Sequence, residues 1–322
     1  MKHNLKITLL LLSMFLVTQF IGIFVINHYS PVQVVDGQMF NVTGVDPLPY
    51  GLETPEIREE VDYSAFFYSI IFAFIIAMGL LFLLMRFNAA IIIKVWFFLV
   101  VALSLGIAFN AIFSGLQYAS IVALIIALPL AFIKIFKNTF IIHNLTELFV
   151  YPGIAAVFVP LLNLKTMIFL LVIISLYDAW AVWKSGIMQK MAKYQIQELN
   201  VFSGFFIPHM TKKLKEKIKA AKNIPKSKQS KEKGKKFKIN FAILGGGDVV
   251  FPILASGVML KEYGFTTIAG ISVPLASLFV IIGAALGLSY IFFYGRKKKF
   301  YPAMPYITAG IFLGMLVTKL LL

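Results

Sequence analysis

Two aspartates, Asp178 and Asp248, lie inside apolar runs at residues 167–183 and 239–260. A carboxylate in a membrane-spanning helix costs roughly 2.5–3.5 kcal/mol on insertion scales, so its presence marks a functional position. Two such acids facing each other in a low dielectric cannot both ionise, and they share a proton. The ionised partner can then deprotonate a water while the protonated one polarises a carbonyl, which is chemistry that hydrolyses a peptide bond. The proton belongs to the pair, so the sequence leaves open which acid is the base.

The neighbours of both acids are specific. Tyr177 adjoins Asp178 and is placed to hydrogen-bond a catalytic acid. Gly245, Gly246 and Gly247 immediately precede Asp248, although each glycine costs about 0.8–1 kcal/mol in a helix relative to alanine. Beside an intramembrane acid they read as local unwinding or close backbone approach, which would give water and an extended chain access to Asp248. A small-residue helix-packing surface is the blander alternative. The last apolar run opens with Pro302, Ala303, Met304 and Pro305. Two prolines three apart remove two backbone donors and predict a short irregular segment at the membrane edge, able to line the same cavity.

Other hydrolytic chemistries are excluded by residue type. The chain has no cysteine, which rules out thiol catalysis and thiolate metal sites. It has no His-Glu-x-x-His, and His3, His28, His143 and His209 do not form such a cluster, so no metal and no cofactor is expected. The candidate Ser-Gly pairs Ser114-Gly115, Ser203-Gly204 and Ser256-Gly257 lack the leading glycine of a Gly-x-Ser-Gly serine site. His143 and Glu147, spaced i, i+4, read as a structural polar pair.

Composition defines the elements that must position these residues. The 322 residues are 60% hydrophobic and 14% charged, with mean hydropathy +0.87, against about 25% charged in soluble domains. Apolar windows of about 20 residues, enough to cross roughly 30 Å of hydrocarbon, occur near 5–26, 64–85, 89–110, 117–136, 140–162, 167–183, 239–260, 266–293 and 300–321. The fold class is therefore an all-α polytopic membrane protein with nine transmembrane helices. The first run is read as a retained helix, with a signal peptide as the lesser alternative. With the N-terminus inside and the C-terminus outside, 26 of the 30 Lys and Arg residues fall inside; without the 16 in residues 184–238 the division is still 10 to 4. The net charge of +16 then reflects topology and anionic lipid headgroups, not nucleic acid. Counted along their helices, Asp178 and Asp248 sit about 8 and 14 Å from the inner face at about 1.5 Å per residue.

Three parts follow: a six-helix bundle over 1–183 carrying Asp178, a long basic cytoplasmic loop over 184–238, and a three-helix part over 239–322 carrying Asp248 and the proline motif. Residues 211–238 of the loop are lysine-dense and read as disordered or partly helical. The acid-rich first loop, 27–62, reads as solvated.

Tyr177-Asp178, Gly245-Gly246-Gly247-Asp248 and Pro302-Ala303-Met304-Pro305 resemble, at matching spans, the Tyr-Asp, Gly-x-Gly-Asp and Pro-Ala-Leu-Pro signatures of the presenilin and signal peptide peptidase family of intramembrane aspartyl proteases. Met304 stands where that motif has Leu, a volume-conserving change. The resemblance implies that Asp178 and Asp248 are the catalytic pair, that Gly245 and Gly247 shape the backbone beside Asp248, and that Pro302, Ala303 and Pro305 support the site and substrate recognition. It implies transmembrane-helix protein substrates in the lipid bilayer. With an inside N-terminus, as in presenilin, these would have their own N-terminus outside. The chain is similar to a stand-alone prokaryotic member, a multi-pass protein of the cell membrane; a homo-oligomer stays open. The competing reading is a proton-coupled transporter or cation channel using the same two acids.

Overall fold

The computed structural model describes residues 5–30, 32–35, 38–41, 47–52, 60–87, 89–137, 139–185, 203–209, 240–268, 270–295 and 301–322. Among these, nine α-helices follow the apolar runs: α1 (Leu5–Tyr29), α2 (Glu60–Arg86), α3 (Ala90–Ile112), α4 (Ala119–Phe132), α5 (Phe140–Phe158), α6 (Leu164–Trp180), α7 (Gly247–Tyr263), α8 (Leu275–Tyr294) and α9 (Met304–Leu321). Eight of them, with α4, α5 and α6 counted together with the helical turn that follows each, are long and apolar enough to cross a membrane; α7, with 17 residues and no such extension, is not among the eight. The chain is an integral, multi-pass membrane protein.

Two apolar runs are not helical throughout. Residues 239–260 were expected as one helix, but β4 (Asn240–Gly245) precedes α7. The glycines after β4 are poor helix formers and end the extended segment where the helix begins. Likewise, residues 266–273 form a hairpin, β5 (Thr266–Ile268) and β6 (Ile271–Val273), before α8. Here β-branched residues flank Gly270, whose φ of +83° only glycine adopts cheaply, and Pro274 sits at the helix N-cap. A third antiparallel pair, β1 (Val32–Val35) and β2 (Gln38–Asn41), follows α1.

β3 (Gly204–His209) pairs antiparallel with β4, Gly204 opposite Gly245 and Phe206 opposite Ile243. It occupies part of the segment expected as a loop. The expectation for 211–238 lies outside the described residues.

The main core gathers α1, α5, α6, α7, α8, α9 and the β3–β4 ribbon, with Leu11, Phe15, Met167, Phe205, Ile253 and Ile307 fully buried. α1 is thus integral to the bundle, as the reading of a retained helix required. A second cluster joins α3, α4 and α5. Between α8 and α9 the backbones touch: a Cβ on Gly283 or Gly310 would strike the carbonyl of the other, and one on Gly287 or Gly314 would strike Tyr306 or Phe279. Small residues four apart on both helices permit this approach, the usual device of helix association in lipid. By contrast α2 is peripheral, with 6% of its spanning window buried. Its start is tied by Lys261, whose Nζ donates to Tyr63 Oη at 2.8 Å and to the Pro160 carbonyl at 3.1 Å.

Candidate active site

Asp178 lies near the end of α6 and is 8% exposed. That helix starts from a capping box in which Asn163 Oδ1 accepts from the Thr166 N–H at 2.9 Å and Thr166 Oγ1 accepts from the Asn163 N–H at 3.0 Å. It ends in a wider helical turn over Ala181–Ser185. The start of α9 meets Asp178. The Met304 N–H donates to Asp178 Oδ2 at 3.0 Å, and the Ala303 N–H is a second backbone donor to the same carboxylate.

These are the unpaired first-turn amides of a helix, where the backbone dipole also favours an anion. The proline motif therefore reaches Asp178 through its backbone: Pro302 precedes the helix, Ala303 is the N-cap and Pro305 sits in the first turn, where no N–H is needed. A turn further on, Ser175 Oγ donates to Thr308 Oγ1 at 2.7 Å and holds α6 to α9.

Asp248 sits in the first turn of α7 and is half-buried. It is not nine residues into a helix, as the apolar run suggested, because β4 takes up the preceding residues. Its glycines have different functions. A Cβ on Gly245 would lie 3.3 Å from Asp248 Oδ2, so that glycine leaves room for the carboxylate. A Cβ on Gly246 would come within 2.8 Å of both Tyr151 Oη and Ser203 Oγ, so a side chain here would require Tyr151 or Ser203 to shift. At Gly247 the nearest neighbour would be Phe251 at 3.7 Å, an ordinary contact. Behind this turn, buried Gln19 of α1 donates from Nε2 to the Val249 carbonyl at 3.1 Å.

α6, α7 and α9 pack against one another, and the end of α6 meets the start of α9 at Asp178. Tyr177 packs toward α2. Its ring is 37% exposed and packs edge-on against Phe74 of α2, centroids 6.2 Å apart, with Trp180 at 6.4 Å.

The polar face of α5 is the part that sequence reasoning missed. His143 and Glu147 do pair, at 3.5 Å, but Glu147 Oε1 also meets Lys134 Nζ at 2.7 Å. Lys134 itself is 4% exposed. His143 Nε2 donates to the Gly204 carbonyl at 2.8 Å and Glu147 Oε1 accepts from the Gly204 N–H at 3.2 Å. Asn144 does the same for Phe206, donating to its carbonyl at 2.9 Å and accepting from its N–H at 3.1 Å. The available signal was a lysine and a glutamate in consecutive apolar runs, which lipid does not tolerate unpaired.

Because Gly204 and Phe206 turn their backbone groups toward α5, those of Phe205 and Ile207 face β4. On β4 the groups of Phe241, Ile243 and Gly245 then face away from β3, along the edge that leads to Asp248.

Among the described residues, nine helices form a membrane bundle in which one buried and one half-buried aspartate stand at the ends of packed helices, which defines a polytopic membrane protein with acids inside its bundle. Residues 51–322 match the family model described as signal-peptide peptidase, presenilin aspartyl protease, and the chain belongs to that family. A search of the curated proteins finds no sequence match. Among solved structures, the fold is similar to that of a presenilin family intramembrane aspartate protease in the C222 space group, with TM-score 0.59, 18% identity, and 98% of this chain and 99% of that one covered. A structure so described in the P2 space group gives TM-score 0.57 and 17% identity, covering 97% of each chain.

Proposed function

We propose that this chain is an intramembrane aspartic endopeptidase that hydrolyses peptide bonds within transmembrane helices, with Asp178 and Asp248 activating a water between them. The observation that carries the reading is the seating of Asp178 on the Ala303 and Met304 amides, on a helix that packs against the one starting at Asp248. Fixed amides orient Asp178 without neutralising it, so it can accept or share the pair's proton. Gly245, lacking a Cβ that would stand 3.3 Å from Asp248 Oδ2, leaves room for that carboxylate at the end of β4.

A substrate helix entering from the lipid must unwind to expose its scissile carbonyl, and its freed backbone groups need partners in a medium without water. The outward edge of β4, at Phe241, Ile243 and Gly245, supplies such partners by strand addition, and the segment around Pro302 borders the same space. Of the three parts, 1–183 contributes one acid and 239–322 contributes the other together with the proline motif. If the N-terminus is inside, substrates are single-span proteins with their own N-terminus outside.

The test is cleavage of a single-span reporter in liposomes by the wild type and by Asp178→Asn and Asp248→Asn, with products mapped by mass spectrometry. Cuts within the reporter's span that need both acids support the reading. Proton flux that needs both acids, with no cleavage of a varied substrate panel, overturns it in favour of transport.

A further inference from the structure

The connection between β3 and β4 is too long to be a tight turn. In a tight hairpin the turn fixes the register, but here 30 residues, 210–239, separate the strands. β4 is anchored at its far end, where Gly246 leads straight into α7. Among the described residues β3 has no comparable anchor in the chain, since residues 186–202 separate it from the end of the α6 segment. Among those residues, what holds its alignment is lateral.

The grip on β3 is the polar face of α5. Asn144 binds both backbone groups of Phe206, so its carboxamide takes the place of a neighbouring strand's peptide unit. His143 and Glu147 together do the same for Gly204, one residue pair away. Two adjacent backbone positions on one edge are thus matched by side chains on a rigid helix. A two-residue slip of β3 would put Pro208, which has no N–H, or Gly204 opposite Asn144. The first of these slips cannot satisfy Asn144 Oδ1. Lys134 holds Glu147 in place at 2.7 Å.

β3 in turn reaches the reacting end, because the Gly246 N–H donates to the Ser203 carbonyl at 3.3 Å, two residues before Asp248. We propose that Asn144, assisted by His143 and Glu147, is a positioning residue that sets the β3–β4 register and, through Ser203 and Gly246, the placement of the turn carrying Asp248. The consequence for cleavage rests on the proposed protease function; the register itself does not.

The full-length chain has no cysteine, so engineered pairs report cleanly. Phe206 and Ile243 are opposite and belong to a non-hydrogen-bonded pair, with Cα atoms about 4.5 Å apart by strand geometry, within disulfide reach. The Phe206→Cys/Ile243→Cys pair reads the observed register, while Phe206→Cys/Phe241→Cys and Pro208→Cys/Ile243→Cys read slips in either direction. In membranes under mild oxidation, the first pair should cross-link and the other two should not. Adding Asn144→Leu should reduce the first yield at least about twofold and raise one of the others, as a register freed to slip by its two-residue period requires. Asn144→Gln, which keeps the carboxamide, should restore the original pattern.

Asn144→Ser, too short to bond both Phe206 groups, gives the same readout where Asn144→Leu does not accumulate. Without engineered cysteines, Asn144→Leu should lower reporter turnover on the order of 10–10²-fold through misplacement of Asp248, with KM changed far less. An unchanged cross-link pattern in Asn144→Leu and Asn144→Ser overturns the proposal, whatever happens to turnover. A pattern that shifts as expected, in a chain whose wild type cuts no reporter, sustains the register assignment and sinks the protease reading instead.

Discussion

At the level of residues, the two aspartates carry the proposed chemistry, and the groups around them divide that task unequally. Replacing either carboxylate by a carboxamide keeps the shape but removes a proton acceptor, so Asp178→Asn and Asp248→Asn should each lower turnover by roughly 10²–10⁴-fold. Single-turnover cleavage of the reporter checks this, and near-wild-type rates in either variant would end the assignment. A working pair holding one proton also requires a bell-shaped dependence of cleavage on pH, because adding a second proton or removing the last one disables it. A flat profile over the pH range in which the protein stays folded would rule out the shared proton. Both acids were legible in the sequence because burial in an apolar run makes a carboxylate conspicuous. Lys134 was not, since a lysine near the end of an apolar run looks like a loop cation until its partner is known. Its pairing predicts that Lys134→Met alone, which strands a buried Glu147 charge, destabilises by about 3–5 kcal/mol, while Lys134→Met with Glu147→Gln recovers much of the loss. Unfolding temperatures in detergent compare the two, and equal losses would mean that the charge pair is not what holds this region.

Among the elements, the site depends on helix ends more than on helix interiors. The sequence located α6 and α9 closely, since hydropathy reports continuous spans well. It misjudged the start of α7, because six residues of β4 are apolar enough to pass as part of a helix and strand pairing to a partner beyond a 30-residue gap leaves no local signature. The α5 clamp was invisible for the same reason: Asn144 acquires meaning only when Phe206 is brought beside it. The α8–α9 seam turns an element-scale contact into a site-scale one. A side chain at Gly310 would collide with the Gly283 carbonyl and push α9 away from α8, and the start of α9 carries the amides that hold Asp178. Gly310→Leu should therefore abolish most cleavage, and Gly310→Ala should reduce it by less, although position 310 makes no contact with either acid. Full activity in Gly310→Leu would show that the seam does not set the position of the Met304 amide.

For the whole molecule, the proposed function poses the problem of bringing water and an extended peptide together inside a medium that tolerates neither. The bundle meets it with a dense core of α1 and α5–α9 that fixes the reacting ends, and with one spanning helix, α2, that is hardly buried and touches the Asp178 helix through Phe74 and Tyr177. A strand edge beside Asp248 is useful only to a substrate that has already left the helical state, since an intact helix satisfies its own backbone. Under the proposed function unwinding therefore belongs to the reaction, and its cost depends on the substrate. A Gly in the cleavage region lowers helix stability by about 1 kcal/mol and a Pro by about 3 kcal/mol relative to Ala. If unwinding precedes the chemical step, that difference should appear as faster cleavage of reporters with Gly or Pro near the scissile bond than of leucine-rich ones, most clearly under single-turnover conditions at saturating enzyme. Proline must stand where its missing N–H is not needed by the β4 edge, so moving it one residue along the substrate should alternate between acceleration and inhibition with the two-residue period of a strand. Equal rates for all these reporters would mean that the chain does not bind its substrate in extended form, and the open edge of β4 would then need another explanation.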